Sequence, residues 1–596
     1  MHFMRVLSIL IAVFFVACSS VPPPSPKPLS PSPIEISILT INDFHGQLTP
    51  ISLDTNETPP RSFSVGGVQA LAVTIAELRS QNPTGTLLLD AGDFMQGSLL
   101  SNSLEGLPVR AFYSLIGVVA AAIGNHEFDY GPQGPSVIAE PQDDGQGALK
   151  EWAKRAPFPL LTANIRDKSG NQLSWPNVRA STIVERKGVR IGIVGLTTLQ
   201  TPFTTMPSNV ANLQFQPLQP ALLREIELLR KANVDAIVAV GHLNGECETK
   251  VPETCRGEMF DLLESLPEKT IDAFVAGHGH QCIQHRFRGT LVTEACSQGK
   301  AVGHIKLVII PGKGVVHEKS RVFPPTPVCH QVFDDTNDCE GLLRTGIPKG
   351  SLIPNPLLAK HRNISLASKQ IIKHFRSMIP HHTQRVLAMT NRPLHHDRYG
   401  FSDLGFLFAN ILQKSVPGVD FALINSGSIR AEIPAGPITY ERLYQVFPFD
   451  NQIATVELTG KQLHQMLENS LNSQHSGLTQ VAGLRLWIRC GASQILAKLT
   501  DSRNKPLNFR KTYRVVLSDY AVTGGGALGK GLFRLPFKIP KILTGRFIRD
   551  EVAQYLVTHP NLLTTRNNAF FSHSKDVFSF DGPCSKTSKT GRYLCR

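Results

Sequence analysis

The chain is 596 residues long, with 61 Lys and Arg against 47 Asp and Glu, for a formal net charge of +14 and a pI near 9.3. That length excludes a single hydrophobic core, so two main domains are expected; the 41% apolar content is ordinary for a soluble protein. The basic surplus favours anionic partners such as phosphates, nucleic acid or an anionic membrane surface, and charge alone leaves a merely solvated basic surface as the alternative.

Arg5 is the only formal charge ahead of an apolar run over residues 6–17. Too short to span a bilayer, the run reads as the core of a signal peptide. Phe15-Val16-Ala17-Cys18 resembles a bacterial lipobox, so removal of residues 1–17 and lipidation of Cys18 are expected. A plain signal peptide containing a cysteine is the alternative. Ser19 follows where an Asp would suggest retention at the inner membrane, so the expected address is the outer membrane, facing the periplasm or the cell surface. Residues 18–34 alternate Pro with Ser and Lys and read as an extended spacer.

Ten cysteines fit an oxidising compartment. With Cys18 lipidated, nearest-neighbour pairing gives Cys247–Cys255, Cys282–Cys296, Cys329–Cys339 and Cys584–Cys595, leaving Cys490 over. Sequence does not fix that connectivity.

From residue 35 strand, loop and helix alternate, the pattern of an α/β sheet. Strands are expected at residues 36–41, 86–89, 118–123, 158–163, 189–194, 236–240, 271–276, 291–293 and 304–310, with helices at 66–80 and 218–231. Residues 323–356 are rich in Pro and Gly, and 359–378 have helical spacing. A second α/β pattern follows: helix 405–412, strand 421–424, helix 458–471, strand 513–517. The chain after about residue 561 reads as irregular and basic.

Five of the expected strands end in groups able to hold a metal: Asp43 and His45, Asp93, Asn125, His242, and His278 with His280. In extended backbone residues two apart point the same way, so each of the Asp43–His45 and His278–His280 pairs is expected to share a face. Carboxylate, imidazole and amide oxygen together suit Zn, Mn, Fe or Co, and the absence of cysteine argues against a structural zinc site. Taken singly, each residue is more simply a loop hydrogen-bonder, a turn or a cap. Together they exceed what one ion needs and fit two, about 3.5–4 Å apart, the arrangement that attacks phosphate esters.

The blocks Asn42-Asp43-Phe44-His45-Gly46, Gly92-Asp93, Gly124-Asn125-His126-Glu127-Phe128-Asp129, Gly241-His242 and Gly277-His278-Gly279-His280 resemble the signatures of calcineurin-like metallophosphoesterases, and among them the 5′-nucleotidase family, which includes bacterial UDP-sugar hydrolases. The resemblance implies a four-layer αββα metallophosphoesterase sandwich over residues 35–345, a helical linker over 346–384, an α/β substrate-binding domain over 385–560 and a basic tail over 561–596. It implies one divalent ion on Asp43, His45 and His280, a second on Asn125, His242 and His278, and Asp93 bridging. His126 and Asp129 would form a catalytic dyad, with water activated by the two metals and no covalent enzyme intermediate. Glu127 is left without a chemical role, and Phe128 is expected to pack beneath the turn.

In the second domain, Asn425-Ser426-Gly427-Ser428-Ile429-Arg430 is similar to the family's substrate loop. The resemblance implies that Asn425, Gly427, Arg398 and Arg430 bind substrate and that Phe449 and Tyr520 sandwich the base. Gly526 stands where the family usually has a ribose-binding Asp, with Asp519 as a conceivable substitute.

The expected activity is hydrolysis of a nucleoside 5′-monophosphate outside the cytoplasm, for nucleotide salvage. Alternatives are a UDP-sugar, dinucleotide or 2′,3′-cyclic nucleotide phosphodiesterase, and, from another class, a non-catalytic nucleotide-binding surface lipoprotein. A basic adhesin or nucleic-acid binder rests on charge alone, since no nucleic-acid module is present.

Overall fold

The computed structural model describes residues 32–54, 62–134, 136, 138–140, 142–247, 254–339, 350–472, 477–490, 495–535, 541–564, 578–581, 584–586 and 593–595. The expected leader, Cys18 and the spacer up to residue 31 lie outside the described residues.

The first half of the chain stacks two sheets. In one, strand Ile34–Ile41 runs parallel to Thr86–Asp90 and antiparallel to Ala301–Ile310. Ala120–Ala122 and Leu160–Leu161 continue the parallel order outward. The other sheet orders Cys282–Phe287, Thr290–Ala295, Ala273–Ala276, Ala236–His242, Val189–Thr197 and Ser181–Arg186. Its central strands are unbroken apolar runs because both of their faces are covered. Ile36, Ile38, Leu87 and Leu89 meet Ile191, Ile193, Val238 and Val240 between the sheets.

Helices cover the outer faces. Val68–Ser80 and Leu107–Ile116 lie on the first sheet, and Leu218–Lys231 and Glu258–Ser265 on the second. In Leu218–Lys231 the buried Leu218, Leu222, Ile226 and Leu229 recur at the spacing of one helical face. The expected αββα sandwich is the fold.

The helical stretch after the Pro/Gly-rich region forms two helices, Pro356–Lys360 and Arg362–Arg376. It is not a free connector. Phe375 is buried in the first domain's core, and Lys360 and His361 pair with Glu77. Arg376 then binds Glu441 of the second domain at 2.8 Å.

The second domain is a five-stranded mixed sheet ordered Gln480–Ala482, Phe421–Ile424, Thr512–Ser518, Gln452–Thr459 and Lys541–Phe547. Helices Asp403–Ser415, Gly460–Leu471 and Ile548–Thr558 contribute to its core. Ser402 and Thr459 cap the first two, accepting from the N–H groups of Gly405 and Gln462.

Cys247–Cys255, Cys282–Cys296 and Cys329–Cys339 are disulfide-bonded. The side chains of Cys490, Cys584 and Cys595 lie outside the described ones. The end of the chain corrects the sequence reading. Strand Phe578–Asp581 pairs in parallel with Leu484–Cys490, and Cys584–Lys586 pairs with Tyr593–Cys595. Three- and four-residue strands are too short to show a period. Among the described residues no helix is long and apolar enough to cross a membrane.

Candidate active site

The metal-type residues stand at or just beyond the ends of buried strands at one end of the stacked sheets; His242 closes strand Ala236–His242, but most of the others leave extended backbone. Asp43, His45, Asp93, His278 and His280 have φ of 47°, 50°, 57°, 72° and 55°. This overturns the reason given from sequence for their convergence. His278 and His280 in fact join different clusters. The loops curl because their backbones bond to each other: Asp43 N–H donates to Gly92 O and His45 N–H to Asp93 O, each at 2.9 Å. Asp and His tolerate the left-handed region better than branched residues. Gly124 is required by contact, since a Cβ there would lie 2.2 Å from Asp93 Oδ1.

Two clusters result. In the first, Asp43, His45 and His280 bring their ligand atoms within 4.8 Å of one another; in the second, Asp93, His242 and His278 do the same. His242 Nε2 lies 2.9 Å from Asp93 Oδ2 and 3.1 Å from Asn125 Oδ1. Burial opposes ionisation of Asp43 and Asp93, but His280 and His242 respectively hold their carboxyls well below the usual range. Burial disfavours a charge on His242 too, yet Asp93 draws its pKa up to about 10. The second cluster therefore attracts positive charge.

Beside the clusters, His126 Nδ1 lies 2.5 Å from Asp129 Oδ2, and Thr205 donates to the other Asp129 oxygen at 2.6 Å. Burial lowers the His126 pKa, Asp129 and Asp93 raise it, and the net shift is upward. The His126 N–H donates to Asp93 Oδ1 at 2.8 Å, tying the dyad to the second cluster.

Glu127, fully buried, accepts the N–H groups of Asp93, Phe94 and Gly124 at 2.7–2.8 Å. Burial and the Asp93 charge push its pKa up to about 8, and the N–H donors oppose the rise. This is the role sequence reading did not find: Glu127 ties the Gly92-Asp93 loop to the Gly124-Asn125 loop. Phe128 is buried beneath the turn as expected.

One cavity of about 840 Å³ joins the two domains. Asp93, Asn125, His126, Asp129, His278 and His280 line one wall, and Arg398, Asn425, Gly427, Arg430, Phe449 and Tyr520 the other. Arg430 approaches His45 Nε2 to 3.5 Å. Burial and the neighbouring Arg398 charge pull the Arg430 pKa down, a field that an anion would relieve. The Phe449 ring lies 5.8 Å from that of His126. Tyr520 donates its hydroxyl to Phe203 O of the first domain at 2.5 Å. Asp519 does not replace a ribose acceptor. It is buried, and its carboxylate accepts Gln452 N–H and Tyr520 N–H. Ser426, too, turns inward, bonded to Leu478 O.

Residues 36–282 match the calcineurin-like phosphoesterase family, and residues 381–530 match the 5′-nucleotidase C-terminal domain. The chain belongs to the 5′-nucleotidase family of calcineurin-like metallophosphoesterases. It is similar to the 5′-nucleotidase of Rattus norvegicus, 27% identical over 82% of this chain and 83% of that protein. It is also similar to the protein UshA of Salmonella pullorum, 26% identical over 88% of this chain and 90% of that one. A crystal structure of a 5′-nucleotidase precursor from Thermus thermophilus shares the fold with a TM-score of 0.70, at 24% identity over 88% of this chain and 97% of that one. As a member of this family the chain is a hydrolase of phosphate esters that works with two divalent metal ions.

The residues of this 5′-nucleotidase-family chain fit two such ions. His45 Nδ1 lies 2.9 Å from Gln96 O and His242 Nδ1 2.8 Å from Ala91 O. A carbonyl only accepts, so each Nδ1 carries a proton, and it is Nε2 that each ring offers inward, with a lone pair there whenever the ring is neutral. His45 Nε2 then faces His280 Nε2 at 3.1 Å, beside the Asp43 carboxylate. Two imidazole nitrogens and a carboxylate oxygen converging within 4.8 Å suit a divalent cation. Gln96 was missed from sequence, as were Asn102, Phe203 and Lys530, which also line the cavity. The available signal for Gln96 was its place three residues beyond Asp93, still within the ligand-bearing loop.

Proposed function

We propose that the chain hydrolyses nucleoside 5′-monophosphates to nucleoside and phosphate. One observation carries the reading: a single cavity is lined by members of both metal-type clusters, His280 of one and Asp93 and His278 of the other, and on the opposite domain by arginines and aromatic rings. Its volume lies within the range of about 300–1,000 Å³ typical of small-molecule sites.

Asp43, His45 and His280 would hold one ion and Asn125, His242 and His278 the other, with Asp93 shared between them. Bound there, the ions would supply an activated water and positive charge against the phosphoryl oxygens. The remaining work falls to side chains. Arg430 and Arg398 anchor the phosphate by charge-assisted bonds. His126, kept cationic by Asp129, donates to a phosphoryl oxygen as its charge grows in the transition state. Phe449 and Tyr520 present faces on which a base stacks with little preference among bases. Water adds to phosphorus as the bond to the 5′ oxygen breaks, and one of the water's protons ends on the departing 5′ hydroxyl.

A second reading, hydrolysis of nucleotide sugars or dinucleotides, is favoured by Gly526. With φ +64° and a hypothetical Cβ 3.1 Å from Asn425 Nδ2, this position puts no side chain into the cavity, which extends past it to Ala527 and Lys530.

We place the enzyme outside the cytoplasm, in nucleotide salvage. Three disulfides support that address. So does the similarity to a cell wall protein of Listeria monocytogenes, 23% identical over 83% of this chain and 64% of that one. Lipidation at Cys18 would tether it to the outer membrane. A panel of AMP, UDP-glucose, NAD and 2′,3′-cyclic AMP, each with Mn, Zn and Co in turn, tests the substrate assignment. AMP should give the highest kcat/KM. A tenfold preference for UDP-glucose or NAD would replace the first reading with the second.

A further inference from the structure

The loop over residues 447–450 carries Phe449 to the cavity, and its backbone is held from both sides. Arg549, in the first turn of helix Ile548–Thr558, is only 4% exposed and does not line the cavity. Its Nη1 donates to Phe447 O at 3.4 Å and to Phe449 O at 3.3 Å, and its Nη2 pairs with the Asp450 carboxylate. Nε donates to the Tyr440 hydroxyl at 3.1 Å, and the guanidinium sits 3.9 Å from the Tyr444 ring centroid. The carbonyl between, on Pro448, accepts Gln96 Nε2 at 2.9 Å and Asn102 Nδ2 at 3.1 Å from the first domain. Successive carbonyls thus alternate between Arg549 and the other domain.

A buried guanidinium is costly unless paired and hydrogen-bonded. Asp450 supplies the pairing. What the arrangement secures is the direction of the peptide units flanking Phe449. Lysine cannot reproduce it, because an ammonium lacks the planar fork that reaches two carbonyls and a carboxylate together.

We propose that Arg549 is a positioning residue for nucleoside binding: it aims Phe449 at the base without touching substrate. This rests on the reading that Phe449 stacks a base.

The test measures KM and kcat for AMP and for p-nitrophenyl phosphate in Arg549→Lys, Arg549→Met, Phe449→Ala and the double variant Phe449→Ala/Arg549→Lys. Arg549→Lys keeps a cation beside Asp450, so the fold retains its pairing even where Arg549→Met does not. Arg549→Lys should raise KM for AMP about tenfold, the loss of one aromatic contact, with p-nitrophenyl phosphate changed less than about twofold. In the Phe449→Ala background the same substitution should add nothing further, because the ring it aims is gone. Equal effects of Arg549→Lys on both substrates, no effect on either, or full additivity with Phe449→Ala would overturn the inference. If Phe449→Ala itself fails to separate the two substrates, the base-stacking reading falls and the inference with it. If Phe449→Ala separates them and Arg549→Lys does not, the inference alone falls.

Discussion

Gln96 donates its side-chain amide to the Pro448 carbonyl at 2.9 Å, while its own carbonyl lies 2.9 Å from His45 Nδ1. One residue thus joins a metal-type cluster on the first domain to the loop that carries Phe449 on the second. Gln96→Ala removes the side-chain bond and keeps the carbonyl. A net hydrogen bond contributes about 1 kcal/mol, so KM for AMP should rise about fivefold with bound metal unchanged. Loss of metal in this variant would show that the side chain supports His45 as well.

His126→Ala should keep metal and substrate binding and cut kcat by about 10²–10³, the effect of losing one transition-state donor. Steady-state kinetics beside elemental analysis make the check. Turnover within twofold of the parent would remove His126 from the chemistry.

The pH profile tests Asp129. Burial lowers the His126 pKa, but Asp129 and Asp93 raise it above its ordinary value. The cation is present below that pKa and lost as pH rises through it, so kcat should fall on the alkaline side. Asp129→Asn removes the largest upward contribution. The alkaline limb of kcat should move to lower pH. A limb that stays put, or moves up, would mean that another group sets it.

Glu127→Gln swaps an acceptor for an amide N–H opposite backbone donors at 2.7–2.8 Å. It should loosen both the Asp93 and Asn125 loops and weaken metal affinity about 10–100-fold, as for other groups that orient ligands. Equilibrium dialysis against Zn or Mn measures this. Unchanged affinity would reduce Glu127 to a packing role.

The fold was largely legible because its central strands are buried on both faces and read as uninterrupted apolar runs; Leu218–Lys231 and Phe421–Ile424 begin and end at the residues that periodicity gives. The site was legible for a related reason. A buried strand that stops at Asp43, Asp93, Asn125, His242 or His278 has no packing use for those groups. What sequence did not carry was the path between them. Left-handed φ at Asp43 and His45 depends on bonds to Gly92 and Asp93, about fifty residues away. The work of Glu127, Gln96 and Arg549 is done through hydrogen bonds to backbone, which any sequence offers. Asp519 sits beside Tyr520 in the chain, but its carboxylate is taken by Gln452 N–H across the sheet. Proximity in sequence said nothing about which way it faced.

Hydrolysis here depends on two ions acting with the residues that face them across one cavity. Metal content and phosphate release from AMP, measured on the same samples, test that most directly. The parent protein should hold two divalent ions per chain, lose AMP hydrolysis on chelation, and regain it with added Mn, Zn or Co; Asp93→Ala should hold fewer ions and release no phosphate. AMP hydrolysis at the untreated rate by chelated, metal-free protein would contradict it.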